Sequence, residues 1–180
     1  GMAFGANPEM ARLVTREVRK VANKPLMVKL SPNVTNIVEI AKIVESEGAD
    51  AISMINTLLG MAIDTNTGKA ILGNTYGGMS GPAVKPIALR MIHQVSQVVS
   101  IPILGMGGIS CAKDAIEFFL AGASAVSIGT AFFGNPLVAL EVKKGLLEYC
   151  EKKNLSNISE IIGFSHPDDG VSYRKRLEIK

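Results

Sequence analysis

Four short apolar segments, separated by helical patterns, are the feature that most constrains the fold of this 180-residue chain. The segments are "PLMVKLS", "AISMIN", "IPILGMG" and "AVSIGTAF", each rich in Val, Ile, Leu and Met without polar alternation. Continuous apolar runs of this kind are typical of parallel strands buried on both faces. The alternation of strand and helix therefore predicts an α/β protein with a parallel sheet.

The segments between these strands carry apolar residues at helical spacing. The predicted helices follow Pro8, Ile37, Pro86, Ser110 and Pro136, and a last short helix starts at Asn157. Asn7 and Asn135 supply N-caps before first-turn prolines, and Gly48 and Gly122 stand where two helices end. The order is one helix followed by four βα units, which fits either half of an eight-stranded barrel or a small open sheet.

One connection, from Thr57 to Val84, is much longer than the others and rich in glycine. Long loops in compact domains usually carry function. Because this loop follows a strand, we expect it at the C-terminal edge of the sheet, where α/β proteins bind ligands.

The first two predicted strands end in polar side chains. Lys29 closes the first strand, and a lysine in an apolar strand is costly to bury unless it meets an anion. Asn56 and Thr57 close the second, where an amide offers a donor and an acceptor to a planar ligand. The alternatives are a lysine that reaches solvent and an asparagine that caps a turn.

The third and fourth strands end in the glycine loops "GMGG" and "SIGT". The residues of interest are Gly107, Gly108, Gly129 and Thr130. Their N–H groups and hydroxyl would face one point, as in phosphate sites between the last two strands of a barrel. A dinucleotide fingerprint is excluded, because its third glycine is replaced by Ser110 and the next strand ends without an acid. The pattern predicts a mononucleotide phosphate site, with two ordinary tight turns as the alternative.

Composition narrows the function classes. The formal net charge is +3 with scattered basic residues, which argues against a nucleic-acid partner. No apolar run reaches the roughly 18 residues that span a bilayer, so no membrane contact is expected. The basic C-terminal segment "YRKRLEIK" is expected to be a solvated tail.

The cysteines and histidines indicate no metal site or catalytic constellation. Cys111 and Cys150 fit no metal spacing and are expected to be packed thiols. No leader peptide is expected either, and together these expectations predict a cytoplasmic protein. His93 and His166 have no nucleophile or carboxylate at a suggestive spacing, so both are expected to be structural.

Six segments in order resemble the dihydroorotate dehydrogenase family, most closely its class 1B catalytic subunit. They are "KLSPNV", "INT", "GNTYGGMSGPAVKPIALR", "ILGMGGIS", "DAIEFFLAGASAV" and "IGTAFFGNP". The resemblance extends over residues 1–163 and leaves residues 164–180 as a tail of unknown role. It implies the C-terminal half of a (β/α)8 TIM barrel, an incomplete barrel with four βα units.

The resemblance also implies a role for each strand-end residue. Lys29, Ile55 and Gly81 correspond to residues beside the flavin of FMN. Asn56 and Thr57 correspond to residues that hold orotate. The residues implied to bind the FMN phosphate are Gly107, Gly108, Gly129 and Thr130.

The implied activity is FMN-dependent oxidation of dihydroorotate to orotate in de novo pyrimidine (UMP) biosynthesis. Electrons would pass to NAD through a partner subunit that carries FAD and a [2Fe–2S] cluster, and the catalytic subunit would form a homodimer. Two alternatives remain: a pyrimidine-reducing domain like that of dihydropyrimidine dehydrogenase, and a non-catalytic phosphate- or nucleotide-binding half-barrel.

The sequence departs from the family at its catalytic base, a cysteine in an "N-x-x-C-P-N" loop that is absent here. The base is therefore expected upstream of Gly1, and the chain is expected to be inactive alone. Half a barrel also leaves open strand edges, so we expect self-association, domain swapping or binding of the missing half.

Overall fold

The computed structural model of the chain describes residues 2–178. Gly1, where the predicted barrel segment begins, lies outside the described residues. The strands are β1 (Met27–Lys29), β2 (Ala51–Met54), β3 (Leu58–Gly60), β4 (Ile63–Asp64), β5 (Lys69–Ala70), β6 (Gly77–Met79), β7 (Ile103–Met106) and β8 (Ala125–Ser127).

The six predicted helices are present, the last of them as a 3₁₀ turn at Ile158–Ile161, whereas three short helices and a 3₁₀ turn at Pro82–Val84 were not predicted. The α-helices are α1 (Met2–Gly5), α2 (Pro8–Val21), α3 (Ile37–Ser46), α4 (Lys85–Ser96), α5 (Ala112–Ala121), α6 (Ala131–Gly134), α7 (Val138–Lys153) and α8 (Val171–Arg176). Asn7 caps α2 by accepting a hydrogen bond from the Met10 N–H, and Gly122 ends α5 in the left-handed conformation.

The four predicted strands form one parallel sheet in the spatial order β1–β2–β7–β8. One row of aligned residues crosses this sheet and consists of Lys29, Ser53, Leu104 and Ala125. The prediction of an α/β protein with a parallel sheet in chain order is confirmed.

The two faces of this sheet differ in burial. Ile52, Met54 and Ile103 have no exposed surface and belong to the core formed with the helices. On the alternate face of the strands, Met27 and Ala125 are exposed. The expectation of strands buried on both faces is therefore wrong for β1 and β8, whereas Ile52, Ser53 and Met54 of β2 are buried on both faces.

The long connection from Thr57 to Val84 lies between β2 and α4, as expected, but it is not structureless. It forms two antiparallel hairpins, an outer one of β3 with β6 and an inner one of β4 with β5. Strands of two or three residues are too short to leave an alternating pattern in the sequence.

The described part of the C-terminal segment packs onto the domain, so the expectation of a solvated tail is wrong for residues up to 178. Tyr173 is 1% exposed and lies in a second apolar cluster with Phe119, Ile161 and Ile162. The Arg176 guanidinium donates to the carbonyl oxygens of Ser96 at 3.0 Å and Val99 at 3.2 Å. The side chains of Tyr173 and Arg176 thus hold this segment against the domain, although its basic composition is typical of a solvated tail.

His166 is a structural residue, as expected. Its ring is buried, and Nε2 lies 2.9 Å from Ser96 Oγ and 3.2 Å from the Ala121 carbonyl oxygen. Burial lowers the pKa of this histidine. Cys111 departs from the expectation of a packed thiol, because it is exposed at the start of α5, whereas Cys150 is half-buried.

We expect Tyr173→Ala to reduce the free energy of unfolding by about 3 kcal/mol, because it empties a fully enclosed aromatic site. Urea denaturation followed by circular dichroism measures this change. Tyr76→Ala is the matched control, since Tyr76 is exposed and its loss should change stability by less than about 0.5 kcal/mol. Equal effects of the two substitutions would contradict the packing described for α8.

We expect the chain to self-associate, because β1 and β8 are edge strands of this sheet and Met27 is exposed beside one edge. Sedimentation velocity over a concentration series measures this. Met27→Lys should weaken association, whereas Val171→Lys, at an exposed position on α8, should not. A monomer at every concentration of the unmodified chain would contradict the prediction.

Candidate functional site

The carboxyl ends of β1, β2 and β7 are tied together by backbone hydrogen bonds. The Asn56 N–H donates to the Leu30 carbonyl oxygen at 3.0 Å, and the Ile55 N–H donates to the Met106 carbonyl oxygen at 3.0 Å. The residues predicted from separate strands therefore lie along one edge of the sheet, where parallel α/β proteins bind ligands.

Lys29 lies at this edge, but its side chain is exposed. The argument that an anion must offset its burial does not apply, since the described structure does not bury it. Its selection as a site residue rests instead on its position at the end of β1, directly before Leu30 and its hydrogen bond with Asn56.

Asn56 and Thr57 are both exposed at the end of β2. Asn56 Oδ1 accepts a hydrogen bond from the Thr57 N–H at 2.9 Å, and no hydrogen bond within residues 2–178 uses Asn56 Nδ2. The amide therefore keeps a free donor for a ligand. The Thr57 side chain packs directly on Gly78, where a Cβ would clash with it.

Ser31 and Asn33, which the sequence reasoning did not select, position this pair. Asn33 Nδ2 donates to the Thr57 carbonyl oxygen at 3.0 Å, and Asn33 Oδ1 accepts from the Leu59 N–H at 2.9 Å. The Asn33 N–H and Nδ2 also donate to Ser31 Oγ. Their signal was present in "KLSPNV", because Ser and Asn in such loops commonly bond to nearby backbone.

The two glycine loops meet at a cavity of about 220 Å³. Four residues predicted from the sequence line it: Gly81, Gly108, Gly129 and Thr130. Ser110 and Ser127 add hydroxyl groups to the wall, and no acidic residue among those that the structure describes lines this cavity. A small, acid-free cavity with glycine and hydroxyl groups suits an anion.

Gly107 does not line this cavity. A Cβ at Gly107 would lie 3.0 Å from Ala88 Cβ and 3.4 Å from Ile55 Cγ1, so the structure brings Gly107 against Ile55. Ile55 itself is buried. These two predicted residues therefore meet each other beside β7 rather than at the cavity.

Gly108 requires the absence of a side chain. Its φ is +80°, and a Cβ there would lie 2.7 Å from the Gly81 carbonyl oxygen and 3.0 Å from the Lys85 backbone nitrogen. Only glycine allows the backbone of the loop after β7 to approach the Gly81 loop so closely.

Unpaired backbone donors surround the cavity. Within residues 2–178, no hydrogen bond uses the N–H groups of Gly108, Gly129 or Thr130. The Thr130 hydroxyl donates to Ser80 Oγ at 2.8 Å, which brings the long loop to the "SIGT" loop. N–H groups without protein partners beside a cavity are the usual means of binding a phosphate through the backbone.

An ion pair lies behind this cavity, between two residues that the sequence reasoning missed. Lys85 Nζ lies 2.6 Å from Asp114 Oδ1 and 2.8 Å from Glu117 Oε2. Burial raises the pKa of the Asp114 carboxyl, but hydrogen bonds from Lys85 and the Ser110 loop outweigh it and hold that pKa well below its usual value. Asp114 is the third residue of α5 and stands three residues after the N-cap Cys111, the acidic position of a capping box.

A separate apolar groove of about 530 Å³ runs along α7 and contains none of the predicted site residues. Among the residues that the structure describes, no group of three His, Cys, Asp or Glu side chains could hold a metal ion. No helix in the same part of the chain is long and apolar enough to cross a membrane.

The cavity lies at the carboxyl edge of a parallel sheet and is lined by glycines with free N–H groups. This arrangement is typical of α/β proteins that bind ligands at their strand ends. A family model described as dihydroorotate dehydrogenase matches residues 1–150. The chain belongs to the dihydroorotate dehydrogenase family, which confirms the resemblance seen in its sequence.

Two relatives that share one name support the assignment to this family. The catalytic subunit of dihydroorotate dehydrogenase B (NAD(+)) from Alkaliphilus oremlandii (strain OhILAs) is 58% identical over 163 residues, 91% of this chain and 54% of the relative. The subunit of that name from Bacillus pumilus (strain SAFR-032) is 52% identical over 175 residues, 97% of this chain and 56% of the relative. The chain spans about half the length of these relatives.

We expect Gly108→Ala to destabilise the chain by about 2 kcal/mol, because it adds left-handed strain and a clash with the Gly81 carbonyl group. Chemical denaturation measures the change. Gly73→Ala is the control, since a Cβ there meets nothing within 4 Å. An unchanged stability of Gly108→Ala would contradict the close approach of the two loops.

Proposed function

We propose that this chain forms the phosphate-binding half of an FMN site and one wall of the substrate site in a dihydroorotate dehydrogenase. The proposed reaction is the oxidation of dihydroorotate to orotate in pyrimidine biosynthesis. The observation that carries this proposal is the cavity where Gly81, Gly108, Gly129 and Thr130 converge, in a chain that belongs to this family.

The cavity fits the phosphate group of FMN. The N–H groups of Gly108, Gly129 and Thr130, which have no protein partner within residues 2–178, would donate to its oxygens. The Gly81 and Gly108 loops line the cavity together, and they approach each other this closely only because Gly108 has no side chain. Gly107 supports this loop by packing on Ile55.

Lys29 would supply positive charge beside the ring system. FMN, when bound, supplies the acceptor for a hydride and gains negative charge on reduction. The Lys29 ammonium lies at the carboxyl end of β1 and is free to turn towards that charge, because it is exposed. A cation near developing negative charge lowers the barrier to its formation.

Asn56 and Thr57 would hold the pyrimidine ring. The free Nδ2 donor of Asn56 and the hydroxyl of Thr57 suit the carbonyl and ring N–H groups of orotate. Asn33 fixes the backbone of this pair through its bonds to Thr57 and Leu59, so the pair is held before substrate arrives.

The oxidation removes a proton and a hydride from dihydroorotate, so it also needs a base. We propose that no residue of this chain is that base. The sequence has no "N-x-x-C-P-N" loop, and Cys111 serves instead at the N-terminus of α5, where it takes part in a capping box. The chain alone is then expected to bind ligands without turning them over.

The electrons would leave through a partner. The relatives are named catalytic subunits of an NAD(+) enzyme, which supports a partner subunit that passes electrons to NAD. We propose that this partner carries FAD and a [2Fe–2S] cluster, that the catalytic subunit forms a homodimer, and that the enzyme is cytoplasmic. The names also favour dihydroorotate over the pyrimidine-reducing alternative.

We expect the chain to bind FMN more tightly than riboflavin, which lacks the phosphate, by about tenfold or more, since hydrogen bonds to a charged group contribute about 1.5–3 kcal/mol. Quenching of flavin fluorescence measures both affinities. Thr130→Val should weaken FMN binding and leave riboflavin binding unchanged, because it removes the hydrogen bond to Ser80 that joins the long loop to the "SIGT" loop. Thr67→Val, on the inner hairpin, is the control for loss of a threonine hydroxyl.

Equal affinities for the two flavins would contradict the proposed phosphate site. Turnover of dihydroorotate by the chain alone would contradict the absence of a base, and it is measured by the absorbance of orotate with a dye as electron acceptor. Flavin affinity and orotate formation are measured independently, so the phosphate site and the absence of a base are tested separately.

A further inference from the structure

The Asp114 carboxylate organises the loop that follows β7. Asp114 Oδ2 accepts hydrogen bonds from the Ser110 N–H at 2.9 Å, the Ser110 hydroxyl at 2.8 Å and the Cys111 N–H at 3.2 Å. The residue is 8% exposed, and each of its oxygens is hydrogen-bonded. The carboxylate therefore fixes the chain directly after Gly108 and Ile109.

Lys85 connects this carboxylate to the other wall of the cavity. Its side chain reaches from the start of α4 to Asp114 on α5, at 2.6 Å. The Lys85 backbone also packs against Gly108, since a Cβ added at Gly108 would lie only 3.0 Å from the Lys85 nitrogen. Because Lys85 directly follows the Pro82–Val84 turn after Gly81, this one residue joins the Gly81 loop to the Gly108 loop.

We propose that Lys85 and Asp114 are positioning residues that lock the Gly81 and Gly108 loops together and so aim the Gly108 N–H into the cavity. This inference rests on the proposed phosphate site. Neither residue lines the cavity, so both act through the loops rather than by contact with a ligand.

The physical reason is preorganisation. A phosphate site built from backbone donors loses affinity when its loops must be ordered at the moment of binding. Ser110, which lines the cavity, has both its N–H and its hydroxyl held by Asp114. Glu117 also contacts Lys85 at 2.8 Å, so the ammonium is held between two carboxylates of α5.

A simpler reading is that Asp114 only caps α5 and that Lys85 only neutralises it. That reading predicts a loss of stability that affects every ligand equally. The positioning role predicts a loss that depends on the ligand's phosphate, because only the phosphate would use the N–H groups of these loops.

The test compares FMN and riboflavin affinity in Lys85→Met and Asp114→Asn. We expect FMN to bind about tenfold more weakly in each variant, with riboflavin affinity changed less than about twofold. Lys85→Arg should restore most of the FMN affinity, because a guanidinium can bridge the same carboxylates. Lys20→Met, which removes a lysine of an exposed ion pair on α2, is the matched control.

An equal loss of FMN and riboflavin affinity, or no loss in either, would overturn the inference while leaving the proposed function intact. If FMN and riboflavin bind the unmodified chain equally, or if neither binds, the proposed function fails. In that event the second measurement still decides whether the two loops are locked together.

The second measurement is amide hydrogen exchange in the chain without ligand, resolved by NMR. Asp114→Asn should speed exchange at Ser110 and Cys111, and Lys85→Met should speed it in both the Gly81 and Gly108 loops. In the unmodified chain, inorganic phosphate should slow exchange at Gly108, Gly129 and Thr130, and in Asp114→Asn it should lose its effect at Gly108 alone. Faster exchange confined to α5 would overturn the inference.

Discussion

The hydrogen bonds that join the parallel strands of this sheet determine where every candidate site residue lies. They align β1, β2, β7 and β8 so that all four carboxyl ends share one edge. The same pattern continues past the strands, where Asn56 bonds to Leu30 and Ile55 to Met106. Residues far apart in sequence become neighbours at this edge, and the long hairpin loop closes over it from β2.

Much of this arrangement could be read from the sequence because its signals are local. Continuous apolar runs predict the four strands, and the N-cap before Pro8 and the left-handed Gly122 predict helix ends. Gly81, Gly108, Gly129 and Thr130 were selected from loop composition, strand adjacency and family resemblance, and the structure gathers them around one cavity. Their ligand roles remain predictions.

What the sequence could not predict depends on contacts between distant residues. Burial of Tyr173 needs the cluster around Phe119, and the pairing of Lys85 with Asp114 needs α4 beside α5. The desolvation argument for Lys29 was wrong because it assumed a covered strand, whereas one face of this sheet is less covered in the described residues. Short hairpin strands are likewise fixed by their pairing and not by residue type.

Helix α4 is held at both of its ends. Its first residue, Lys85, is fixed to α5 beside the cavity, and carbonyl groups at and after its last turn, of Ser96 and Val99, accept from Arg176 of the C-terminal helix. A packed helix moves as a rigid rod, so displacement of one end displaces the other. Displacement of the C-terminal helix α8 would therefore be transmitted along α4 to Lys85 and, through it, to the Gly108 loop.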